Sequence, residues 1–118
     1  MKIIVTGHKD ADYGIIEAKL NKMLSKLSKK DTILVLAHGD PVAHLVEAYA
    51  FRNGYPREVH RPDYKRDSFA AVSVMHEEML AAGAKVLVAF TCKHEDSQVS
   101  SLLARAPKHK CKIRTVRF

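Results

Sequence analysis

Short continuous runs of apolar residues alternate along the chain with segments in which apolar residues recur every three or four positions. Aliphatic and β-branched runs occupy residues 2–6, 32–37 and 85–90, and they predict buried strands. Residues 56–60 form a weaker strand candidate. Residues 112–116 alternate basic and apolar side chains, as a solvent-facing edge strand does. The pattern therefore predicts five strands, most of them covered on both faces.

Helical stripes fill the intervals between these runs. Residues 12–27 carry the first, at Ile16, Leu20, Met23, Leu24 and Leu27. We expect Asp40 to cap the second helix and Pro41 to open its first turn, because a proline has no N–H to leave unpaired there. Gly54 is expected to end that helix in the left-handed conformation.

The second half of the chain repeats the alternation. Residues 61–67 predict a polar loop, and residues 68–82 predict a helix with Phe69 and His76 on its inner side. A last helix follows, for which Asp96 or Ser97 is the expected N-cap and Pro107 is the stop. Strands that alternate with helices predict one α/β domain over residues 1–118, with helices on both faces of a five-stranded, mostly parallel sheet.

The composition argues against a disordered, a membrane-spanning or a secreted protein. Among 118 residues, 47% are apolar, which disfavours disorder, and no apolar run reaches the length of about 20 residues that a membrane helix needs. The first apolar run is too short for a signal peptide, and the two cysteines suggest reduced thiols. We therefore expect a cytoplasmic protein that has no contact with membranes.

The formal charge of +7 is concentrated near the C-terminus. Residues 1–96 are nearly balanced, whereas residues 97–118 carry six Lys and Arg and no acidic residue. Nucleic acid or an acidic partner could bind such a segment. Only Phe118 supplies an aromatic ring within it, so stacking on single-stranded nucleic acid is not favoured. A charged edge strand that resists aggregation is the alternative.

A ligand site is expected at the carboxyl ends of the strands. Open parallel sheets bind ligands at that edge, near the switch point where the strand order reverses its direction. Strand order 3-2-1-4-5 would place that point between strands 1 and 4. Loop glycines, cations and helix N-termini there favour an anionic, phosphorylated ligand. The candidate binding residues are Gly7, His8, Lys9, His38, Gly39, Asp63, Thr91, Lys93 and Ser97.

Other chemistries find less support. Neither G-x-G-x-x-G nor a P-loop motif occurs in the sequence. The pairs Cys92/His94 and His109/Cys111 resemble zinc ligands, but one follows a strand and the other precedes one, so they belong at opposite sheet edges. We therefore expect no metal and no cofactor. Cys92 is either a thiol with a lowered pKa near a helix start or an unreactive loop cysteine.

Several segments together resemble a known family. They are Met1–Lys9, Leu34–Gly39, Val46–Ala50, Arg57–Tyr64 and Glu78–Phe90. In order and spacing they are similar to the SLOG superfamily, in its branch called DUF2493 or YspA-like, over residues 1 to about 90. The resemblance implies a Rossmann-like fold that binds nucleotides or nucleotide-derived ligands, often as an oligomer. Its relatives include phosphoribohydrolases and sensors of ADP-ribose-type signals.

The chain lacks residues of the family pattern that hydrolysis would require. The family's glycine-rich phosphate loop is replaced by residues 92–97, and Ser100 stands in place of the hydrolase glutamate. These losses favour binding or sensing of a nucleotide-derived anion. The resemblance and the small size of the α/β domain imply a homo-oligomer, a dimer or a tetramer. The alternative is a nucleotide N-glycosidase with a rebuilt site, for which Asp63, His38 and Asp10 are the catalytic candidates.

Overall fold

Five strands form one sheet, and each neighbouring pair is parallel. They are β1 (Lys2–Gly7), β2 (Ile33–Ala37), β3 (Arg57–His60), β4 (Ala84–Thr91) and β5 (Lys112–Arg117). The strand order is β3-β2-β1-β4-β5, so the chain moves outward in one direction through β3 and then crosses to the other side of β1. These positions come from a computed structural model, which describes residues 1–93 and 97–118.

Helices cover both faces of the sheet. They are α1 (Tyr13–Leu24), α2 (Ala43–Asn53), α3 (Tyr64–Asp67), α4 (Ala71–Ala81) and α5 (Ser97–Arg105). Buried residues of α1 and α2 belong to one apolar core, and those of α4 and α5 belong to another. The molecule is therefore a three-layer, Rossmann-like α/β/α fold, as the sequence predicts, and its sheet is entirely parallel.

Alternation along the buried strands separates the two cores. In β1, Ile3 and Val5 join the core under α1 and α2, whereas Ile4 joins the core under α4 and α5. Successive side chains of a strand point to opposite faces, so a strand covered on both sides has to be apolar throughout. Burying each such side chain stabilises the fold by about 1.5–3 kcal/mol.

The helix termini follow local hydrogen bonding. Asp12 caps α1 by accepting a hydrogen bond from the backbone N–H of Ile15 at 2.9 Å. Gly54 ends α2 with φ +74°, as predicted. The predicted start of α2 is wrong, because the helix begins at Ala43 rather than at Pro41. The Asp40 carboxylate instead accepts from the N–H of Val42 at 3.1 Å and closes a turn before the helix.

The stretch from residue 61 to residue 70 also corrects the prediction. Residues 64–67 form the short helix α3 instead of a loop, and Asp63 caps it by accepting from the N–H of Arg66. A 3-10 turn follows at Ser68–Ala70, where Ser68 has φ +54°. Phe69 lies in that turn and is 98% exposed, so its predicted inward position is wrong.

Two further predictions, one on α4 and one on the last strand, are confirmed. His76 is fully buried on α4, as its place in the apolar stripe predicts. β5 is an edge strand with exposed Lys112 and Arg114, and in the described part of the chain it pairs only with β4.

None of the helices in residues 1–93 and 97–118 is long and apolar enough to cross a membrane.

Candidate functional site

The carboxyl ends of β1 and β4 lie side by side. Gly7 pairs with Phe90 across the two strands, and the His8 N–H donates to the Phe90 carbonyl at 2.9 Å. β1 and β4 are also the strands at which the chain changes direction across the sheet. The predicted switch point is therefore confirmed, and ligands of such sheets bind in the crevice beyond it.

A cavity of about 500 Å³ opens beside this point, and we call it the switch-point cavity. Its volume falls in the range of about 300–1,000 Å³ that is common for small-ligand sites. It is lined by the ends of β4 and β5, by α5 and by the residue after β1. The lining residues are His8, Phe90, Thr91, Cys92, Lys93, Val99, Ser100, Leu103, Thr115, Arg117 and Phe118.

The lining combines charge, hydroxyl groups and an apolar surface. Lys93 and Arg117 supply two cations, and Ser100 on the first turns of α5 supplies a hydroxyl group. Phe118 is 39% exposed at the cavity, and its N–H donates to the Thr91 carbonyl at 3.0 Å, which fixes its backbone beside β4. The lining therefore offers positive charge to an anion and an apolar ring to a flat group.

His8 is the buried polar side chain of this cavity, with 7% of the residue exposed. Its Nδ1 accepts a hydrogen bond from the backbone N–H of Asp10 at 3.1 Å. An imidazole that accepts at Nδ1 carries its proton on Nε2, so the neutral ring presents one donor. The backbone turn at residues 8–10 thereby selects one tautomer of His8.

His38 and Gly39 lie in a separate cavity of about 490 Å³. There the Arg61 guanidinium donates to Nδ1 of His38 at 3.1 Å. Gln98 on α5 donates to the Gly39 carbonyl at 3.2 Å, so the first turn of α5 contacts the turn after β2. The same helix faces the switch-point cavity with Ser100. The structure thus places His8, Thr91 and Lys93 in one cavity and His38 and Gly39 in another.

The remaining candidates occupy varied positions. Gly7 is packed closely, since an added Cβ would lie 3.0 Å from the Phe90 Cβ and from Val42 Cγ1. Lys9 and Asp10 are exposed in the loop after β1, and Ser97 is the first residue of α5. Asp63 caps α3, as described above. His94 and Asp96, named in the zinc and capping predictions, lie outside the described residues.

The two cysteines occupy opposite edges of the sheet. Cys92 follows β4 at the carboxyl edge, whereas Cys111 directly precedes β5 at the amino edge. Cys111 is buried in the core under α4 and α5, and this burial raises the pKa of its thiol. The structure therefore places Cys92 and Cys111 as the sequence predicts, too far apart for one shared ion.

The prediction missed Ser100, Arg117 and Phe118 as cavity residues. It considered the loops after four strands, but the carboxyl end of β5 lies on the same edge and beside β4. The available signal was a basic and an aromatic residue, Arg117 and Phe118, directly after the strand predicted over residues 112–116. A larger groove of about 720 Å³ lies between α1 and the faces of β4 and β5, away from this edge.

Comparison with known proteins adds no identification. No family model, curated protein or solved structure matches this chain. The fold is consequently defined by the strand order and the two helical layers themselves. The resemblance to the SLOG superfamily stays a prediction from the sequence.

Proposed function

We propose that the chain binds or senses a small nucleotide-derived anion, such as ADP-ribose or a nucleoside phosphate, in the switch-point cavity. The observation that supports this proposal is the lining itself. Lys93 and Arg117 provide positive charge for a phosphate, while Phe118 provides a ring on which a base can stack. A role in the cytoplasm is consistent with two cysteines that form no disulfide bond.

Hydrolysis is not the function that the arrangement favours. Asp63 is engaged as the cap of α3, and His38 accepts from Arg61 in the other cavity. Asp10 is exposed in the loop next to His8. The three catalytic candidates therefore have separate local partners, and an N-glycosidase stays an untested alternative.

Nucleic-acid binding through the basic segment is also less favoured. Arg105 and Lys108 both form ion pairs with Glu77, at 2.8 Å and 2.6 Å. Arg117 lines the switch-point cavity. Half of the six C-terminal cations are thereby assigned to contacts within the fold or to the proposed ligand site. The others lie on or next to the exposed edge strand, where charge opposes edge-to-edge pairing.

Binding is tested by thermal shift and titration calorimetry with ADP-ribose, nucleoside monophosphates, cyclic nucleotides and ribose 5-phosphate. A ligand at about 100 times its Kd stabilises the fold by about 2.7 kcal/mol. We expect Arg117→Ala to weaken every anion in the panel. Phe118→Ala should weaken the nucleotides but leave ribose 5-phosphate unchanged, because only a base can stack.

Lys112→Ala is the matched control, since it removes a cation from the opposite end of β5. This variant should bind as the unmodified chain does. The proposal fails when no ligand in the panel binds at millimolar concentration. It also fails when Arg117→Ala and Lys112→Ala reduce binding equally, because the charge effect would then be non-specific.

Self-association into a dimer or tetramer is a second proposal from the sequence. It is supported by aromatic side chains that lie open to solvent: Phe51 at 83%, Tyr64 at 63% and Phe69 at 98% exposure. Large exposed apolar groups are common at protein interfaces. Sedimentation velocity of the unmodified chain and of Phe69→Ser tests it. A monomer across micromolar to millimolar concentrations would contradict the proposal.

A further inference from the structure

We propose that His8, Asp10 and Cys92 form a binding site for one Zn²⁺ ion at the ends of β1 and β4. One imidazole nitrogen, one carboxylate oxygen and the thiol sulfur of these residues all lie within 4.8 Å of one another. The loop after β1 supplies two of the ligands, and the loop after β4 supplies the third. The proposal does not depend on nucleotide binding.

The spacing suits a tetrahedral ion. Bonds of about 2.0–2.3 Å from zinc to nitrogen, oxygen and sulfur place neighbouring ligand atoms about 3.3–3.7 Å apart. Nδ1 of His8 and Oδ2 of Asp10 are already 3.6 Å apart. The Asp10 side chain is 64% exposed, so it can rotate, while the His8 ring is fixed by burial. Small side-chain rotations therefore suffice to complete the three-ligand set.

The types of ligand identify the ion. Mg²⁺ and Ca²⁺ take oxygen ligands, whereas a thiolate, an imidazole and a carboxylate together suit Zn²⁺. The thiolate is the binding form, so coordination releases the proton of the Cys92 thiol to solvent as the Zn–S bond forms.

Binding also changes the hydrogen bonding of the loop. The His8 Nδ1 lone pair now accepts from the Asp10 N–H, and zinc would take that lone pair instead. The amide of Asp10 then has to find another acceptor or water. Residues 8–10 are therefore expected to rearrange when the ion binds. The Nε2–H of His8 stays available to a partner that orients the ring.

Three protein ligands leave a fourth coordination position. His8 and Cys92 both line the switch-point cavity, so that position is available to water or to an oxygen atom of an anion. The ion would add positive charge to a cavity that already has Lys93 and Arg117. Zinc and an anionic ligand are thus expected to bind cooperatively.

The test uses the full chain, freed of metal with a chelator, dialysed and titrated with Co²⁺ in the absence of nucleotide. We expect one Co²⁺ per chain, with a thiolate-to-cobalt charge-transfer band that Zn²⁺ removes by displacement. Cys92→Ser should abolish the band. Asp10→Asn should weaken zinc at least about tenfold, since loss of an outer-shell partner alone commonly costs about 10–100-fold.

Cys111→Ala is the matched control, because it removes the other cysteine and leaves the three ligands in place. It should keep the band and the stoichiometry, with folding of each variant checked by circular dichroism. The proposal is overturned if the unmodified chain binds less than one Co²⁺ at saturation. It is equally overturned if the band survives in Cys92→Ser, disappears in Cys111→Ala, or if Asp10→Asn binds zinc normally.

Discussion

The Thr6 hydroxyl of β1 donates a hydrogen bond to Oδ2 of Asp40, in the turn between β2 and α2. Both residues are buried, with 0% and 4% exposure. The other oxygen of the same carboxylate accepts from the N–H of Val42 at 3.1 Å. A single side chain thereby joins two strand ends at the carboxyl edge and fixes the path of the chain into α2.

Thr6→Val should destabilise the protein, because the substitution keeps the shape of the side chain but removes one donor from a buried carboxylate. A buried acceptor that loses its partner costs about 1–3 kcal/mol. Urea denaturation followed by circular dichroism measures this change. Thr115→Val, at an exposed position of β5, is the control and should change the free energy of unfolding little. Equal effects of the two variants would contradict the structural role of the Thr6–Asp40 bond.

Gly7→Ala should also destabilise the protein, because of space rather than backbone conformation. The new Cβ would lie 3.0 Å from both Phe90 Cβ and Val42 Cγ1, and 3.3 Å from the Phe90 carbonyl oxygen. Overpacking of this kind costs about 1–3 kcal/mol. Gly14→Ala is the matched control, because its Cβ meets only the Asp12 carboxylate, at 3.4 Å. In the first turn of α1, alanine should be neutral or slightly stabilising.

Where periodicity is strong, the sequence predicts this fold well. Uninterrupted aliphatic runs such as residues 85–90 can be satisfied only by a strand covered on both faces, and β4 is that strand. The prediction fails at Phe69 because it extends the helical period through a 3-10 turn. The positive φ of Ser68 interrupts the backbone before α4, so the apolar period of α4 does not extend back to Phe69. Such a turn depends on backbone geometry that hydrophobic spacing does not encode.

The candidate site is predictable only to the level of the sheet edge. The edge follows from strand order, and His8, Thr91 and Lys93 were found on that basis. Which loops share a cavity depends on how far each strand and helix extends. Gln98 of α5 contacts Gly39, and the loop after β2 lines the cavity of His38 rather than the switch-point cavity. The proximity of Cys92 to His8 likewise requires the register of β1 against β4.

Glu77 should make stability depend on acidic pH. Hydrogen bonds from Lys108, His109 and Arg105, the first being the strongest, lower the pKa of this carboxyl group to about 2. A carboxyl whose pKa is lower in the folded state stabilises the fold above its unfolded pKa, and that contribution disappears as the pH falls toward the folded value.

The measurement compares urea unfolding of the unmodified chain and Glu77→Gln from pH 7 to pH 2. The unmodified chain should be more stable at pH 7, and the difference should shrink progressively below about pH 5. Glu17→Gln, on α1 at the other face of the sheet, is the control. The ion pairs at Glu77 are partly exposed, so added salt should reduce the difference. A difference that does not vary with pH would contradict this explanation.

His76 should make stability depend on pH closer to neutrality. The ring is fully buried on α4, where its Nδ1 is 2.9 Å from the Ser101 hydroxyl. Burial is the main cause that lowers the pKa of His76; the neighbouring Gln98 side chain opposes the shift, and the charge of Arg105 adds to it. In the unfolded chain a histidine titrates near 6.5. Acidification therefore protonates the unfolded chain first and favours unfolding.

Between pH 7.5 and pH 5.5, this effect should cost the unmodified chain at most about 1.4 kcal/mol of stability. His76→Gln should lose less stability over the same interval, whatever its stability at pH 7.5. His44→Gln, at an exposed position of α2, controls for the removal of a histidine. An NMR titration of the His76 ring supplies an independent measurement that needs no variant. A midpoint at or above 6.5 for that ring would show that burial does not keep it neutral.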